Sequence, residues 1–377
     1  MNPSIGKSVL TALFLTLLVG SLAACYHGSI SPPAVSNGAS ASKATPVHGT
    51  ANAPLTLRGL TEYTIPTNGN TQPLDIKRGP DGNLWFTEVG SGAIGRITPA
   101  GTIAQFAIPA PAFGITAAPD GNLWFTYHAF SNNVGRITTA GGVSQFPIAP
   151  LCNCTENSAR VDGGIALGPD GELYFGAMQG SLLHGDLTYG IEKMTTTGTA
   201  TVLYAGKSNS YPLAEPLWLT RGPDDAVWFT SRASIGYGRI TPGGALTFYE
   251  HLCSNGGPFD ITPGPDGALW FTDRCSGPDK IARVNTSGTI TAEYTIPTAN
   301  SYPAEIVSGQ DANLWFTEQI AGGIGRITPS GAITEFALAA GRQPYGITRG
   351  PNGTIWFTEG GDNRIAKFRP AAQGPPR

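Results

Sequence analysis

G-P-D-G-N-L-W-F-T-E, from Gly79 to Glu88, recurs with variations seven times along the chain. Successive copies lie 39, 50, 54, 42, 45 and 41 residues apart, measured between their aromatic anchors. That period is the size of one four-stranded blade in a radial repeat. The repeat therefore predicts an all-β, seven-bladed β-propeller. The anchors are Trp85, Trp124, Tyr174, Trp228, Trp270, Trp315 and Trp356.

Within one repeat, four short runs rich in β-branched or aromatic residues alternate with turn residues. In the first repeat, an inner strand begins at Leu74 and a G-P-D-G turn leads into a second strand over residues 84–87. A third strand is predicted over residues 94–98 and an outer strand over residues 102–108. The G-P-D-G turn has the Pro and Gly that tight turns favour. We expect four antiparallel strands in every blade.

The last repeat, residues 343–368, contains only three such runs before the chain ends in a Pro- and Gly-rich tail. The missing run lies near the other end of the domain. Residues 62–67 are identical to residues 293–298, which form the predicted outer strand of the fifth repeat. We therefore predict that residues 61–66 complete the last blade and remove its exposed edge.

The first 24 residues have the features of an export signal, with Lys7 before an apolar run at residues 9–19. The following Leu-Ala-Ala-Cys, ending at Cys25, resembles the lipobox of bacterial lipoproteins, whose cysteine is acylated after cleavage. The apolar run is shorter than the about twenty residues of a transmembrane helix. We expect an exported lipoprotein held to a membrane through Cys25; the alternative is an ordinary secreted protein with a stray cysteine.

The rest of the 377-residue chain divides by composition. Residues 25–58 are rich in Ser, Ala and Pro and are predicted to be a disordered tether. Residues 59–370 form the predicted propeller, and residues 371–377 a short tail. A net charge of −3 and dispersed basic residues give no reason to expect nucleic acid. We expect a monomer at the outer membrane, in the periplasm or at the cell surface.

A basic residue stands at the same position of the third strand in every repeat. One interpretation is a functional ring of cations, and the other is that each pairs with a turn aspartate or a nearby carboxylate. A position filled in every repeat usually serves the repeat itself, which favours the second interpretation. The residues are Arg96, Arg136, Lys193, Arg239, Arg283, Arg326 and Lys367.

Four cysteines follow the lipobox, and an exported protein can oxidise them. Cys253 and Cys275 lie in loops predicted to emerge on the same face of the fifth blade, so we predict a disulfide between them. Cys152 and Cys154 are separated by one residue and form either a strained local bridge or two free thiols. Two further ligands for a metal site are missing near this pair.

Function is expected where the loops before each inner strand and after each second strand gather around the channel. Three repeats have one carboxylate near the start of the inner strand and a second one, thirteen residues later, at the end of the second strand. Because these strands are antiparallel, we expect the two carboxylates of each pair to lie at the same end of the blade. Glu359 adds one more in the last repeat. Such a rim could bind Mg²⁺ or Ca²⁺; the alternative is that the acids face solvent or neutralise the basic positions. The pairs are Asp75 with Glu88, Asp260 with Asp273, and Glu305 with Glu318.

His128 is the best-placed histidine for acid–base work, because it stands four residues after Trp124 at the same rim. The sequence contains no G-x-S-x-G elbow, HExxH or phosphate-binding loop. The ligand of the rim therefore stays open among a small molecule, a peptide and an envelope protein.

The runs W-F-T-E, I-G-R-I-T-P and I-T-E-F, clearest at residues 314–336 and 343–359, closely resemble the streptogramin B lyases, also called virginiamycin B lyases. The resemblance covers the whole predicted domain. It implies a seven-bladed propeller that opens a cyclic depsipeptide antibiotic by Mg²⁺-dependent elimination, without hydrolysis.

In the lyases, the catalytic histidines follow the proline that opens an inner strand. At these positions the present chain has Tyr345 and Ala304. The metal-binding glutamate before the proline aligns with Gln343, and the second metal carboxylate aligns with Glu359 or Gly360. The resemblance thus implies Tyr345 as the residue at a catalytic position. The other repeats place Leu74, Phe113, Gly163 or Gly164, Leu217 and Phe259 there.

Two functions follow from these residues. Elimination needs a base and a stabilised enolate-like charge, and no repeat supplies the histidine base. The first hypothesis is therefore a lipid-anchored, lyase-like propeller that binds a ligand or partner without chemistry. The second is a metal-dependent C–O lyase or hydrolase that uses Glu359 and Glu318 with Gln343, and either His128 or Tyr345.

Overall fold

A computed structural model describes residues 55–67, 69–128, 131–152, 160–180, 187–207, 215–231, 236–251, 256–275 and 277–370. Its 28 strands form seven four-stranded sheets, and its one helical element is a short 3₁₀ turn at Pro351–Gly353. In these ranges no helix is long and apolar enough to cross a bilayer. The prediction of an all-β, seven-bladed propeller with antiparallel blades is confirmed.

Each blade has an inner, a second, a third and an outer strand, and blades 1 to 7 are numbered along the chain. The inner strands are β2 (Pro73–Arg78), β6 (Ala112–Ala117), β10 (Arg160–Leu167), β14 (Pro216–Arg221), β18 (Pro258–Pro263), β22 (Pro303–Ser308) and β26 (Pro344–Arg349). The second strands are β3 (Leu84–Glu88), β7 (Leu123–Tyr127), β11 (Leu173–Gln179), β15 (Val227–Ser231), β19 (Leu269–Asp273), β23 (Leu314–Glu318) and β27 (Ile355–Glu359).

The third strands are β4 (Ala93–Ile97), β8 (Asn133–Ile137), β12 (Thr188–Met194), β16 (Gly236–Ile240), β20 (Lys280–Val284), β24 (Gly323–Ile327) and β28 (Arg364–Phe368). The outer strands are β5 (Ile103–Ala107), β9 (Val143–Pro147), β13 (Ala200–Lys207), β17 (Leu246–Glu250), β21 (Ile290–Thr295), β25 (Ile333–Ala337) and, from the start of the domain, β1 (Thr61–Thr64).

Strand β1 closes the ring, as predicted. It pairs antiparallel with β28, from Thr61 opposite Lys367 to Thr64 opposite Arg364. Tyr63 stacks on the anchor Trp356 at 5.9 Å, in the place that outer-strand aromatics occupy in other blades. The closure therefore joins the two ends of the domain within blade 7.

The residues that the structure describes begin at Leu55, ahead of the predicted start of the propeller at Gly59. Leu55 forms a parallel bridge with Phe336 on the outer strand of blade 6. Leu57 is buried in the core between blades 6 and 7. Through these apolar side chains, residues 55–58 contact blades 6 and 7 before β1 begins.

The repeated motif builds the turn and the core of each blade. In blade 1, Trp85 Nε1 donates to Asp81 Oδ1 at 3.1 Å, and the indole is fully buried against blade 2. In blade 7 the turn has Asn352, and Thr354 Oγ1 accepts from Trp356 instead. Opposite the motif phenylalanine, Gly95 leaves room for Phe86, whose ring lies 2.1 Å from where a Cβ would stand.

The motif threonine hydrogen-bonds neighbouring blades together. Thr87 Oγ1 accepts from the backbone N–H of Asp75 and donates to the carbonyl of Phe113 in the next blade, at 3.1 and 2.9 Å. In blade 3 Gly176 stands at this place, where a Cβ would lie 2.5 Å from the carbonyl oxygen of Pro216. The same two bonds recur at Thr126, Thr230, Thr272, Thr317 and Thr358.

The basic position of the third strand lies opposite the aromatic anchor, as with Arg96 and Trp85. Three of these cations pair with the turn aspartate of their own blade, namely Lys193, Arg239 and Arg283. The other four lie on the anchor ring, namely Arg96, Arg136, Arg326 and Lys367. Both arrangements stabilise the blade, which favours the structural interpretation.

Candidate functional site

A bulge at the start of each inner strand turns two consecutive side chains toward the channel. In blade 1 the register shifts between Pro73 and Ile76. The first of the two positions is the one at which the lyases have histidine. Six of the seven such side chains join with Trp218 in one hydrophobic cluster, here called the mouth cluster. Its members are Leu74, Phe113, Leu217, Trp218, Phe259, Ala304 and Tyr345.

Aromatic rings connect the mouth cluster around the channel. Phe113 and Trp218 have ring centroids 5.4 Å apart, and Trp218 and Phe259 6.4 Å apart. Phe259 meets Tyr345 edge-on at 5.9 Å. The predicted catalytic positions of blades 6 and 7 are thus occupied by packed side chains, with Ala304 fully buried and Tyr345 only 5% exposed.

His128 and Arg274 stand at equivalent places, each one residue after a second strand. His128 stacks on Phe113 at 5.8 Å and 17°. The Arg274 guanidinium lies 3.4 Å from the Phe259 centroid and 3.9 Å from the Tyr302 centroid. Burial lowers the pKa of Arg274. The structure thus places the predicted His128 beside the mouth cluster and adds a cation that the sequence analysis did not identify.

The backbone before the inner strands is strained. The residue that precedes the opening proline has a positive φ in five blades, and in four of them it is not glycine. Such a conformation costs about 1 kcal/mol or more for an L-residue and concentrates at functional sites. The residues are Gln72 (45°), Glu215 (52°), Tyr302 (56°) and Gln343 (48°).

Further along the channel, Lys77 gathers three carboxylates from blades 1, 5 and 6. Its Nζ lies 2.5 Å from Asp75 Oδ1 and 3.2 Å from Glu305 Oε2. Burial raises the pKa of Asp260 to about 7 and raises the pKa of Glu305, while the charge of Lys77 opposes both shifts. Lys77 also lies 6.0 Å from the Trp218 ring, so this ionic group adjoins the mouth cluster.

The carboxylates of the second strands do not join this channel group. Glu88 accepts hydrogen bonds from Gln105 at 2.7 Å and Ser91 at 2.6 Å, both within blade 1. Asp75 and Glu88 lie at the same end of β2 and β3 and have different partners. Pro73 lies opposite Glu88 in the ladder, and the bulge turns Asp75 into the channel.

Glu318 and Glu359 are buried acids, and each lies beside charged residues near its own blade. Burial, with the nearby Glu335 carboxylate, raises the pKa of Glu318 to about 8. Burial, followed by the charge of Glu62, raises the pKa of Glu359 to about 8 as well, although Arg342 Nε lies 3.4 Å from its Oε2. Both acids therefore hold a proton more readily than a solvated glutamate.

The residues predicted to bind Mg²⁺ or Ca²⁺ do not assemble a site. In the described part of the chain, neither Glu318 nor Glu359 belongs to a group of three His, Cys, Asp or Glu residues whose ligand atoms lie within 4.8 Å of one another. Gln343 is neutral and exposed, and the Arg342 guanidinium already lies 3.4 Å from Glu359 Oε2. The donor set therefore does not fit a hard divalent cation.

One three-donor group does occur, at the junction of blades 4 and 5. His251, Asp273 and Cys275 have donor atoms within 4.8 Å of one another. Cys275 is disulfide-bonded, as is Cys152, which excludes a free thiol at residue 152. Cys253, the predicted partner of Cys275, lies outside the described residues together with Cys154 and Cys25, so those assignments stay predictions.

The fold is a closed ring of seven blades with W-F-T-E-like second strands, and the starts of its inner strands surround the channel. These features define the class of propeller to which the streptogramin lyases belong. The family model of the virginiamycin B lyase family matches residues 50–185 and 187–373. The chain therefore belongs to the virginiamycin B lyase family. No match was found among curated proteins.

Solved structures agree with this membership. A streptogramin B lyase is 32% identical, with a TM-score of 0.69, covering 82% of this chain and 96% of its own. Virginiamycin B lyase from Staphylococcus aureus is also 32% identical, with a TM-score of 0.68 and coverage of 82% and 98%. A catalytically inactive form of that enzyme with quinupristin gives the same values.

Proposed function

We propose that this protein is a ligand-binding member of the virginiamycin B lyase family that holds an aromatic or apolar ligand at the channel mouth and does not perform histidine-dependent elimination. The supporting observation is the mouth cluster itself. The positions at which the lyases have catalytic histidines are occupied here by apolar and aromatic side chains that pack against one another. Ala304 has no group that could accept a proton.

The ligand class follows from the surfaces around the mouth cluster. Phe113, Trp218 and Phe259 offer ring faces and edges for apolar or aromatic groups. Arg274 adds a positive charge over Phe259. Trp218 Nε1 is buried and has no hydrogen-bond partner among the described residues. An aromatic molecule with a carbonyl or carboxylate acceptor would satisfy both donors. Quinupristin, which is present with one relative, is the first probe to try.

The location is part of the same proposal. The lipobox at Cys25 supports export and attachment to a membrane through an acylated cysteine. The residues between Cys25 and Leu55 would place the propeller away from the bilayer, in the periplasm or at the cell surface. A small molecule, a peptide or an envelope protein could reach the mouth there.

The second candidate function is a C–O lyase or hydrolase at the rim carboxylates. The observation in its favour is that Glu318 Oε1 and both carboxylate oxygens of Glu359 are buried without hydrogen-bond partners among the described residues. A buried acid with a raised pKa can exchange a proton near neutral pH.

Binding and turnover can be measured on the same sample. The chain after residue 24, made soluble by Cys25→Ser, is titrated with quinupristin while tryptophan fluorescence is followed. Mass spectrometry then tests for ring opening with and without Mg²⁺. We expect saturable binding and no ring opening. Trp218→Ala should weaken binding by about 10-fold or more, because it removes a buried aromatic contact.

Phe248→Ala, on the outer strand of blade 4, is the matched control and should leave the affinity unchanged. Ring opening that Glu359→Gln abolishes would establish the enzyme instead. Absence of both binding and turnover would refute quinupristin-like aromatics as the ligand class.

A further inference from the structure

Three metal-ligating side chains converge where blades 4 and 5 meet. His251 follows β17, Asp273 ends β19, and Cys275 lies two residues later. His251 Nε2 is 2.8 Å from Asp273 Oδ2, and the ligand atoms of all three residues lie within 4.8 Å of one another. The ligand atoms of a tetrahedral zinc ion are about 3.3 to 3.8 Å apart, so small rotations of these side chains would bring the three atoms around one ion.

The group is held by the fold. Asp273 is paired to both neighbouring strands, opposite Pro258 and Lys280. The His251 ring rests edge-on against Phe271 at 5.7 Å, which fixes its orientation. Asp273 is fully buried, and its Oδ1 has no hydrogen-bond partner among the described residues. A buried carboxylate oxygen without a donor is costly unless a cation or proton satisfies it.

The chemistry of the donors selects the ion. An imidazole nitrogen, a thiolate sulfur and a carboxylate oxygen form the mixed set that suits Zn²⁺, whereas Mg²⁺ and Ca²⁺ prefer oxygen alone. The thiolate is the missing component, because the Cys275 sulfur is in a disulfide. The Cys275 sulfur can form either the disulfide bond or a thiolate bond to zinc, but not both at once.

We propose that reduction of the Cys275 disulfide creates a zinc site formed by His251, Asp273 and Cys275. A dithiol reductant supplies two electrons and two protons, the S–S bond breaks into two thiols, and the dithiol becomes a cyclic disulfide. Zn²⁺ then displaces the proton from the Cys275 thiol and binds the thiolate with the imidazole and the carboxylate. The chain therefore exchanges a disulfide for a metal at one point of the ring.

The site adjoins the channel mouth through one residue. Arg274 lies between Asp273 and Cys275, its backbone N–H donates to Gly257 O at 3.0 Å, and its guanidinium covers Phe259. A change of bonding at Cys275 thus acts on the segment that positions Arg274. The zinc site does not depend on the identity of the ligand proposed for the mouth.

Cobalt is a suitable spectroscopic probe, because a thiolate bound to Co²⁺ gives a charge-transfer absorption in the near ultraviolet. The oxidised chain and the chain reduced with a dithiol, then freed of reductant without air, are titrated with Co²⁺ and then with Zn²⁺. We expect about one Co²⁺ per reduced chain with the thiolate band, displaced by Zn²⁺, and no such band for the oxidised chain. His251→Ala and Cys275→Ser should each weaken binding to the reduced chain by more than about 10-fold.

Cys152→Ser is the matched control, because it removes a disulfide-bonded sulfur that is not among the three proposed ligands and should leave the cobalt titration unchanged. Cys253→Ser, at the predicted partner, provides a second way to free Cys275 without reductant. Tryptophan fluorescence during thermal melting reports whether each form is folded. The proposal is overturned by equal binding in both redox states, by binding that survives His251→Ala, or by loss of the fold in both the reduced chain and Cys253→Ser.

Discussion

At the scale of single residues, the motif threonine shows how one hydroxyl can connect two blades. Thr272 accepts from the N–H of Asp260 in its own blade and donates to the carbonyl of Ala304 in the next. Both backbone groups lie in the bulge that presents the channel side chains. Loss of the hydroxyl leaves a buried donor and a buried acceptor without partners, which is more costly than loss of an exposed bond.

Thr272→Val keeps the shape of the side chain and removes both bonds. We expect the free energy of unfolding to fall by about 2 to 4 kcal/mol, measured by denaturant unfolding. Thr247→Val, at an exposed site on the outer strand of blade 4, is the control and should change it by less than about 0.5 kcal/mol. Equal effects of the two substitutions would show that the hydroxyl of Thr272 does not connect the blades.

Buried acids determine how stability depends on pH. Glu318 and Glu359 have pKa values raised to about 8, and Glu192 to about 7, in each case mainly through burial. A raised folded-state pKa means that the native state binds protons that the unfolded chain has released. The stability that this provides is present below the unfolded value of about 4.3 and is lost as pH rises through the folded value.

We therefore expect the melting temperature to fall between about pH 5 and pH 9. Glu318→Gln should flatten this fall, because the amide cannot ionise. The check is thermal unfolding across the range for both proteins. Glu250→Gln, at an exposed residue, should leave the profile as it is, and a melting temperature that rises with pH would contradict the assignment.

At the scale of elements, β1 decides whether the ring is closed. Tyr63 packs on Trp356, and Ile65 is buried in the core between blades 7 and 1. Glu62 also accepts from the Arg342 guanidinium at 2.9 and 3.0 Å. The identity of residues 62–67 with residues 293–298 was enough to predict this element. The outer strand has equivalent neighbours in every blade, so the same sequence is suited to that place in blades 5 and 7.

Deleting residues 59–67 should remove cooperative unfolding of the propeller. Burial of Ile65 and partial burial of Tyr63 stabilise by about 2 to 4 kcal/mol, and blade 7 would keep an open edge. Calorimetry should show a broad, low-temperature transition in place of a single one. Deletion of residues 28–50 is the control, and an unchanged melt after the first deletion would refute closure by β1.

At the scale of the whole molecule, the channel holds an ionic group that joins distant blades. Lys77 of blade 1 contacts Glu305 of blade 6, 228 residues away in sequence. Asp75 Oδ2 and Asp260 Oδ2 each accept a backbone N–H from the next inner strand at 2.8 Å. These bonds connect blades across and around the ring.

Lys77→Met should leave three carboxylates close together without their cation. We expect the free energy of unfolding at pH 8 to fall by about 2 to 3 kcal/mol, less than for a fully buried pair because a third of the Lys77 side chain is exposed. Adding Glu305→Gln should restore part of the loss. Denaturant unfolding of the single and double variants measures this, and additive losses would contradict a shared group.

The sequence by itself determined the number of blades, the closure of the ring and the stacked aromatic anchors. These features follow from the spacing of the repeats and from the turn motifs, whose interacting residues are only a few positions apart in the sequence. Only the tertiary structure decided which acids face the channel, because the bulge at the start of each inner strand separates Asp75 from Glu88. It also brought together the mouth cluster and the group of His251, Asp273 and Cys275. Such contacts depend on how blades far apart in the chain meet after the ring has closed.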